Sequence, residues 1–223
     1  MKKVLILAIA LVVQTTFAQV TKSLGDFNTV KVFDKLEVKL IASNENKAVV
    51  SGTRESEVEF VNKNGELKIR MPFPKLLSGD AISVKLYFKS IDGVEASEGS
   101  FVSSDATFKG TIMDISAREG SQINLELDGV QKVNVRAVTG GIVALSGSAV
   151  NQDVVIMSGG ILNAKDLKSA QISISVSAGG SAEINASVLV DAKVKAGGSI
   201  YVYGSPEQIN KETLFGGKII EKN

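Results

Sequence analysis

The sequence predicts an all-β protein whose larger part is a β-solenoid of about 20 residues per rung, preceded by a strand-rich amino-terminal region. Two patterns carry that expectation. Apolar residues recur at alternate positions with almost no helical spacing, and the second half of the chain repeats itself. A third observation is compositional: the 223 residues include 21 Gly but no Cys and no His. With no disulfide available, an exported chain of this kind must draw its stability from packing or repetition.

Residues 1–18 read as a secretory signal peptide. Lys2 and Lys3 open it, Val4 to Val13 form an apolar run of ten, and Thr16 and Ala18 place small residues before a cut ahead of Gln19. Such a run is too short for a membrane span, which takes roughly 20 apolar residues. The remaining 205 residues carry 23 basic and 24 acidic side chains, a net charge near −1. That balance offers no basic face for nucleic acid or anionic lipid. No later segment is apolar enough to cross a membrane, so the product is expected to be soluble beyond the inner membrane, in the periplasm, at the cell surface or outside the cell.

Residues 19–90 form the amino-terminal β region. Val30 and Val32, then Leu36, Val38 and Leu40, alternate as half-buried strands do. Val58 and Phe60 continue the pattern, followed by Leu67, Ile69 and Met71 and by Ile82, Val84 and Leu86. Asn64-Gly65 between two such runs signals a hairpin, and Pro72, Pro74 and Gly79 mark residues 72–80 as a loop. The expectation here is several antiparallel strands, with Glu55, Glu57 and Glu59 on the solvated face of one of them.

From residue 91 to 223 the chain reads as stacked rungs with a carboxy-terminal cap. Ser100, Ser121, Gly141, Gly160, Gly180 and Gly198 serve as equivalent anchors, spaced by 21, 20, 19, 20 and 18 residues. Six positions before them stand Val94, Ile115, Val135, Val154, Ile174 and Ala192. Four before stand Ala96, Ala117, Ala137, Ile156, Val176 and Val194; two after stand Val102, Ile123, Val143, Leu162, Ala182 and Ile200. All three columns are apolar, as inward side chains stacked one strand spacing apart must be. About 20 residues suits three short strands, with the Gly-Gly pairs at one corner where the backbone needs φ > 0 or close approach. A partial seventh copy is expected at Gly217, and residues 206–215 are expected as a short turn or helical plug, with Phe215 covering the last rung.

The missing residue types exclude thiolate and His-based catalysis and the corresponding metal sites, and no cofactor is expected. Carboxylates are left. Glu98 and Glu119 share a column two positions before the anchors, which places them about 5 Å apart. That separation resembles the carboxylate pair of retaining glycosidases. Asp105 and Glu126 share a column five positions after the anchors. The sharper reading is an acidic strip that hydrolyses a glycan or binds Ca²⁺; the plainer one is a solvated corner, which the change of the column to Thr, Ser and Ala favours. Tyr201 and Tyr203 alternate outward, to stack on sugar rings or to pack beneath the terminal segment.

The signal peptide, FNTVKVFDKLEVKL, the NGELKI turn and GSPEQINKETLFGGKI together resemble the head GIN domain family over roughly residues 24–221. Its members are described as auto-transporter adhesins and are common among exported proteins of Gram-negative bacteria. The resemblance implies a right-handed β-helix-like fold over one continuous domain, residues 19–223, and a surface or secreted setting. It carries over no catalytic residues. The function expected is a non-enzymatic adhesin presenting an extended face to an extracellular glycan or surface protein. The alternatives are a carbohydrate-active β-helix using Glu98 and Glu119, and a structural envelope component.

Overall fold

The computed structural model describes residues 20–222, so the signal-peptide assignment lies outside the described residues. Seventeen strands form one continuous hydrogen-bonded sheet wound around a single apolar core that runs from Phe27 to Val202. Among the described residues there is one 3-10 turn, Glu55–Glu57, and no α-helix.

The solenoid rungs are the simplest part. The rungs run through β8 (Gly93–Ala96), β9 (Phe101–Phe108), β10 (Ile112–Arg118), β11 (Gln122–Val138), β12 (Ile142–Met157), β13 (Ile161–Ser177), β14 (Ser181–Lys195) and β15 (Ser199–Tyr203). Each pairs in parallel with the rung before it, and the three apolar columns stack residue on residue. Ile115 lies opposite Val94 and Val135, Ala137 opposite Ala117 and Ile156, and Leu162 opposite Val143 and Ala182. Within β11 the inward residues are Ile123, Leu125 and Leu127, then Val130, then Val133, Val135 and Ala137, all buried. Adjacent exposed residues at 128–129 and 131–132 reset the alternation, giving three inward stretches per rung. Only one of the corners is a tight turn; the others are passed inside long strands, with register shifts such as the one between Leu127 and Val130. Fully burying each Leu, Ile or Val contributes roughly 1.5–3 kcal/mol, and repetition supplies that gain at every rung.

The tight corner explains the glycines. The two residues before each anchor have φ > 0, as at Thr139 (51°) and Gly140 (72°), and the anchor N–H closes the turn, as Gly141 N–H does onto the Val138 carbonyl at 2.9 Å. Corners also stack on one another: Gly120 N–H donates to the Thr139 carbonyl and Gly140 N–H to that of Ser158, both at 3.1 Å. The Ser anchors of the first two rungs use the space differently. Ser100 Oγ donates to the Val32 carbonyl (3.0 Å) and Ser121 Oγ to that of Ala96 (2.7 Å), so a buried hydroxyl ties one rung to the next.

The amino-terminal region corrects the antiparallel expectation. β1 (Val20–Ser23), β2 (Thr29–Val32), β3 (Glu37–Ala42), β4 (Lys47–Gly52), β5 (Glu59–Lys63), β6 (Glu66–Arg70) and β7 (Ile82–Phe88) belong to the same stack. β2 and β3 form a rung of their own, turned at Asp34-Lys35 (φ 63° and 62°) and paired in parallel with β8 and β9 on one side and with β6 and β7 on the other. Val30, Val32 and Val38 extend the three apolar columns. Antiparallel pairing is confined to β1–β4, β4–β7 and the β5–β6 hairpin, whose Asn64-Gly65 turn lies where the sequence places it. Glu55 and Glu57 lie in the 3-10 turn and share no strand face with Glu59.

The last rung also differs from expectation. Residues 206–215 do not form a plug: β16 (Gln208–Leu214) pairs in parallel with β14, and β17 (Lys218–Glu221) pairs with β15. Phe215 occupies the φ > 0 corner position (56°), which turns its side chain away from the core, and it is 92% exposed. In place of an aromatic lid, Lys211 and Glu221 stand in the inward columns opposite Ala192 and Val202 and pair at 2.5 Å across the end of the stack. Inward charges at a free edge discourage another strand from adding there.

Candidate functional site

The acidic corner is built by the tight turns. Asp34, Glu98 and Glu119 occupy the same φ > 0 position on successive rungs. Asp34 is buried, 1% exposed, and its carboxylate accepts the backbone N–H groups of Met71 and Leu77, each at 2.9 Å. Glu98 accepts the Asp34 N–H (3.3 Å), and Glu119 accepts the Ser97 hydroxyl (2.7 Å). Both glutamates are therefore engaged in joining one rung to the next, and neither lines the grooves around Arg136, Glu126, Lys63, Asp105 or Asp191. A retaining hydrolase needs its two carboxyls facing a bound sugar. The described residues also place no group of three or more Asp or Glu side chains where a metal ion could be held.

Burial, first, and the Asp34 carboxylate beside it, with a weaker contribution from Glu119, push the Glu98 carboxyl above its ordinary value of 4.5. A raised carboxyl binds its proton more tightly in the folded state than in the unfolded one. Stability is then greatest below the ordinary value and falls as pH rises through it toward the raised one. Glu98→Gln is expected to remove this slope, and urea midpoints measured from pH 4 to pH 7 will show it; parallel profiles for variant and parent would refute the assignment.

The other acidic pair does not form. Register shifts between Asn124 and Glu126, so Glu126 lies opposite Thr107 and not Asp105. Asp105 instead pairs with Lys39 at 2.5 Å. Tyr201 and Tyr203 do alternate outward on β15, but the terminal segment reaches Tyr201 and β14 engages Tyr203. Tyr201 lies opposite Ile220, with the Lys222 ammonium 5.4 Å from its ring centroid, and the Tyr203 hydroxyl donates to Glu183 at 3.3 Å. The six candidates thus fall at four separate places, Glu98 with Glu119, Asp105, Glu126, and Tyr201 with Tyr203, and do not converge.

A different surface does converge. Seven positions before the anchors, on the outward face, stand Gly93, Asp114, Asn134, Asp153, Ser173, Asp191 and Asn210, and the strand pairings put each beside the next. This is a ladder of short polar side chains along the stack, with Asn134 donating to Asp114 at 2.7 Å. At its amino-terminal end lies a groove of about 520 Å³, crossing the outer face from Glu66 to Val155. Gly93 and Ser116 leave its middle low, while Lys31, Glu95 and Arg136 stand around it. Lys31 bridges Glu66 (2.6 Å) and Glu95 (3.6 Å), and Glu95 also pairs with Arg118. The hydrogen bond from Lys31 holds the Glu66 carboxyl below its ordinary value, with Lys68 adding to the effect. Sequence reasoning missed this site although the same repeat alignment contains it. From Asp114 onward the column is short and polar, a pattern that in sequence looks like any solvated face.

A polar-faced β-solenoid with no converging reactive groups defines a class, the repeat proteins that present an extended surface. Within it, the model of the family described as "Putative auto-transporter adhesin, head GIN domain" matches residues 26–206, and the chain belongs to that family. No curated protein matches the chain. Among solved structures, a putative adhesin of Bacteroides fragilis superposes with a TM-score of 0.83 at 18% identity, covering 94% of this chain and 98% of its own. A putative adhesin of Parabacteroides distasonis gives 0.73 at 18% identity, with 92% and 96% covered. A protein of the same species named a putative lipid binding protein gives 0.69 at 14% identity, with 92% and 97% covered. At these identities the likeness is one of fold.

Proposed function

We propose that the protein is a non-enzymatic adhesin, exported across the inner membrane, that holds an extended glycan against its outer face. The observation that carries this reading is the ladder from Asp114 through Asn134, Asp153, Ser173 and Asp191 to Asn210, one short polar side chain per rung. Hydroxyl, amide and carboxylate groups at the strand spacing of about 4.8 Å can meet the hydroxyls of successive sugars, each contact weak and the row additive. Membership of an adhesin family and the signal-like residues 1–18 support the setting. No helix of the described residues is long and apolar enough to cross a membrane.

Binding of the purified protein to an array of linear glycans tests the reading. Retention of at least one class at micromolar protein, weakened when Asn134, Asp153 and Asp191 are changed together to Ala, is the expected result. Release of sugar by the parent but not by Glu119→Gln would overturn the non-enzymatic part and restore the acidic-strip alternative. Retention of nothing would overturn adhesion to glycans.

A further inference from the structure

The groove at the amino-terminal end of the ladder has one charged group without a partner. Glu66 and Glu95 are bridged by Lys31, with Lys68 at 3.3 Å from Glu66 and Arg118 on Glu95. Asp153 pairs with Lys132 at 2.7 Å, and Asp114 accepts the Asn134 amide. Arg136, opposite Ser116 on β10 and Val155 on β12, is exposed and forms no ion pair among the described residues. The groove's own lining holds four carboxylates, Glu66, Glu95, Asp114 and Asp153, and two cations, Lys31 and Arg136; the carboxylates are met by Lys31, Lys68, Arg118, Lys132 and the Asn134 amide, which leaves Arg136 as the cation that no carboxylate engages.

The floor beside it is low, because Ser116 is short and Gly93 carries no side chain. Gly93 lies within a strand without a positive φ, so glycine is not demanded by conformation there. An added Cβ would instead meet the Thr29 side chain at 3.1–3.2 Å. Glycine at the start of β8 therefore makes room for Thr29, its cross-strand neighbour on β2. Around this notch stand Thr29, Ser116, Asp114 and Asn134, side chains that exchange hydrogen bonds with hydroxyls. No aromatic side chain lines it, whereas protein partners are usually anchored by buried aromatic and Arg contacts.

We infer that this groove binds a carboxylate-bearing sugar of an acidic glycan, its carboxylate held by Arg136 and its hydroxyls by Ser116, Asn134 and Asp114. The inference rests on the glycan-adhesin reading and adds the ligand's charge and the place where it is read. A guanidinium meets a carboxylate with two parallel hydrogen bonds, which a Lys ammonium cannot reproduce.

Calorimetric titration with polygalacturonate and hyaluronate oligosaccharides, against neutral maltooligosaccharides of equal length, provides the test. At least one acidic oligosaccharide is expected to bind, more weakly as salt is raised. Arg136→Gln should reduce affinity tenfold or more, Arg136→Lys should restore only part, and Ser116→Leu, which fills the notch from an outward position, should abolish binding without moving the unfolding midpoint. Equal binding of the neutral series, indifferent to Arg136→Gln, would overturn the inference and leave the adhesin reading standing. If neither series binds and no other glycan does, both fall. Displacement of the sugar by polyglutamate at the same carboxylate concentration would show that charge alone is read and would overturn the assignment to a sugar.

Discussion

Replacing Gly141 with valine is expected to destabilise the protein by about 3–5 kcal/mol, a large part of the roughly 5–15 kcal/mol that holds a typical domain folded. A Cβ at this anchor would lie 2.2 Å from the Ala117 carbonyl oxygen, 2.4 Å from its carbon and 2.8 Å from the Arg118 nitrogen. All three are backbone atoms of the rung beneath, so no side chain can swing away. Relief would require the rungs to separate, breaking the ladder that Gly141 N–H and its neighbours help to close. Gly140, next in sequence, is the control. Its φ is +72° and the nearest atom to an added Cβ is 4.0 Å away, so Gly140→Ala should cost only the left-handed backbone penalty, about 1–2 kcal/mol. Urea unfolding of the three proteins separates close approach from conformation. A Gly141→Val midpoint equal to that of Gly140→Ala would show that the rungs are not in contact at this corner.

Asp34→Ala is expected to cost about 2–4 kcal/mol, because it leaves the buried Met71 N–H and the part-buried Leu77 N–H without their acceptor. The effect should be local as well as global. Residues 71–81 replace the tight corner between β6 and β7, and they are tied down by the Asp34 carboxylate together with the Gly79 N–H to Asp34 carbonyl bond at 2.9 Å. Amide hydrogen exchange in the variant should rise first at Met71 and Leu77, with β11 to β14 protected until global unfolding. Asp34→Asn, which keeps one acceptor oxygen, should fall between parent and Ala. Uniform loss of protection across the chain would mean that this loop is not a separable unit.

The stacked part of the fold is legible in the sequence because side-chain alternation and repeat length together fix both which residues point inward and what they stack on. Ile115, Val135, Val154 and Ile174 could be placed in one column from spacing alone, and the strand pairings put them there. The β2–β3 rung escaped the repeat because 64 residues separate Asp34 from its equivalent, Glu98, and because its corner is Asp-Lys where later rungs have Gly. Parallel pairing of strands so far apart is set by the shared apolar columns once the chain has folded back, which no local pattern encodes. The candidate site was less legible. Asp105 and Glu126 were matched by counting from the anchors, and a shift of register between the two counted positions separated them. Hydrophobicity predicts Phe215 as a cap, but its positive φ turns it to solvent.

By itself the sequence determined the all-β solenoid, the columns of its core and the corners that need glycine. These follow from periodicity, which is a property of the chain read along its length. Only the tertiary structure decided where outward side chains meet: the ion pairs that occupy Glu66, Glu95 and Asp153, the notch at Gly93, and Arg136 left without a partner beside it. The physical reason is that a solvated face imposes no burial constraint on its residues. Their type records little of their surroundings until the register of neighbouring rungs, each one strand spacing away, brings them side by side.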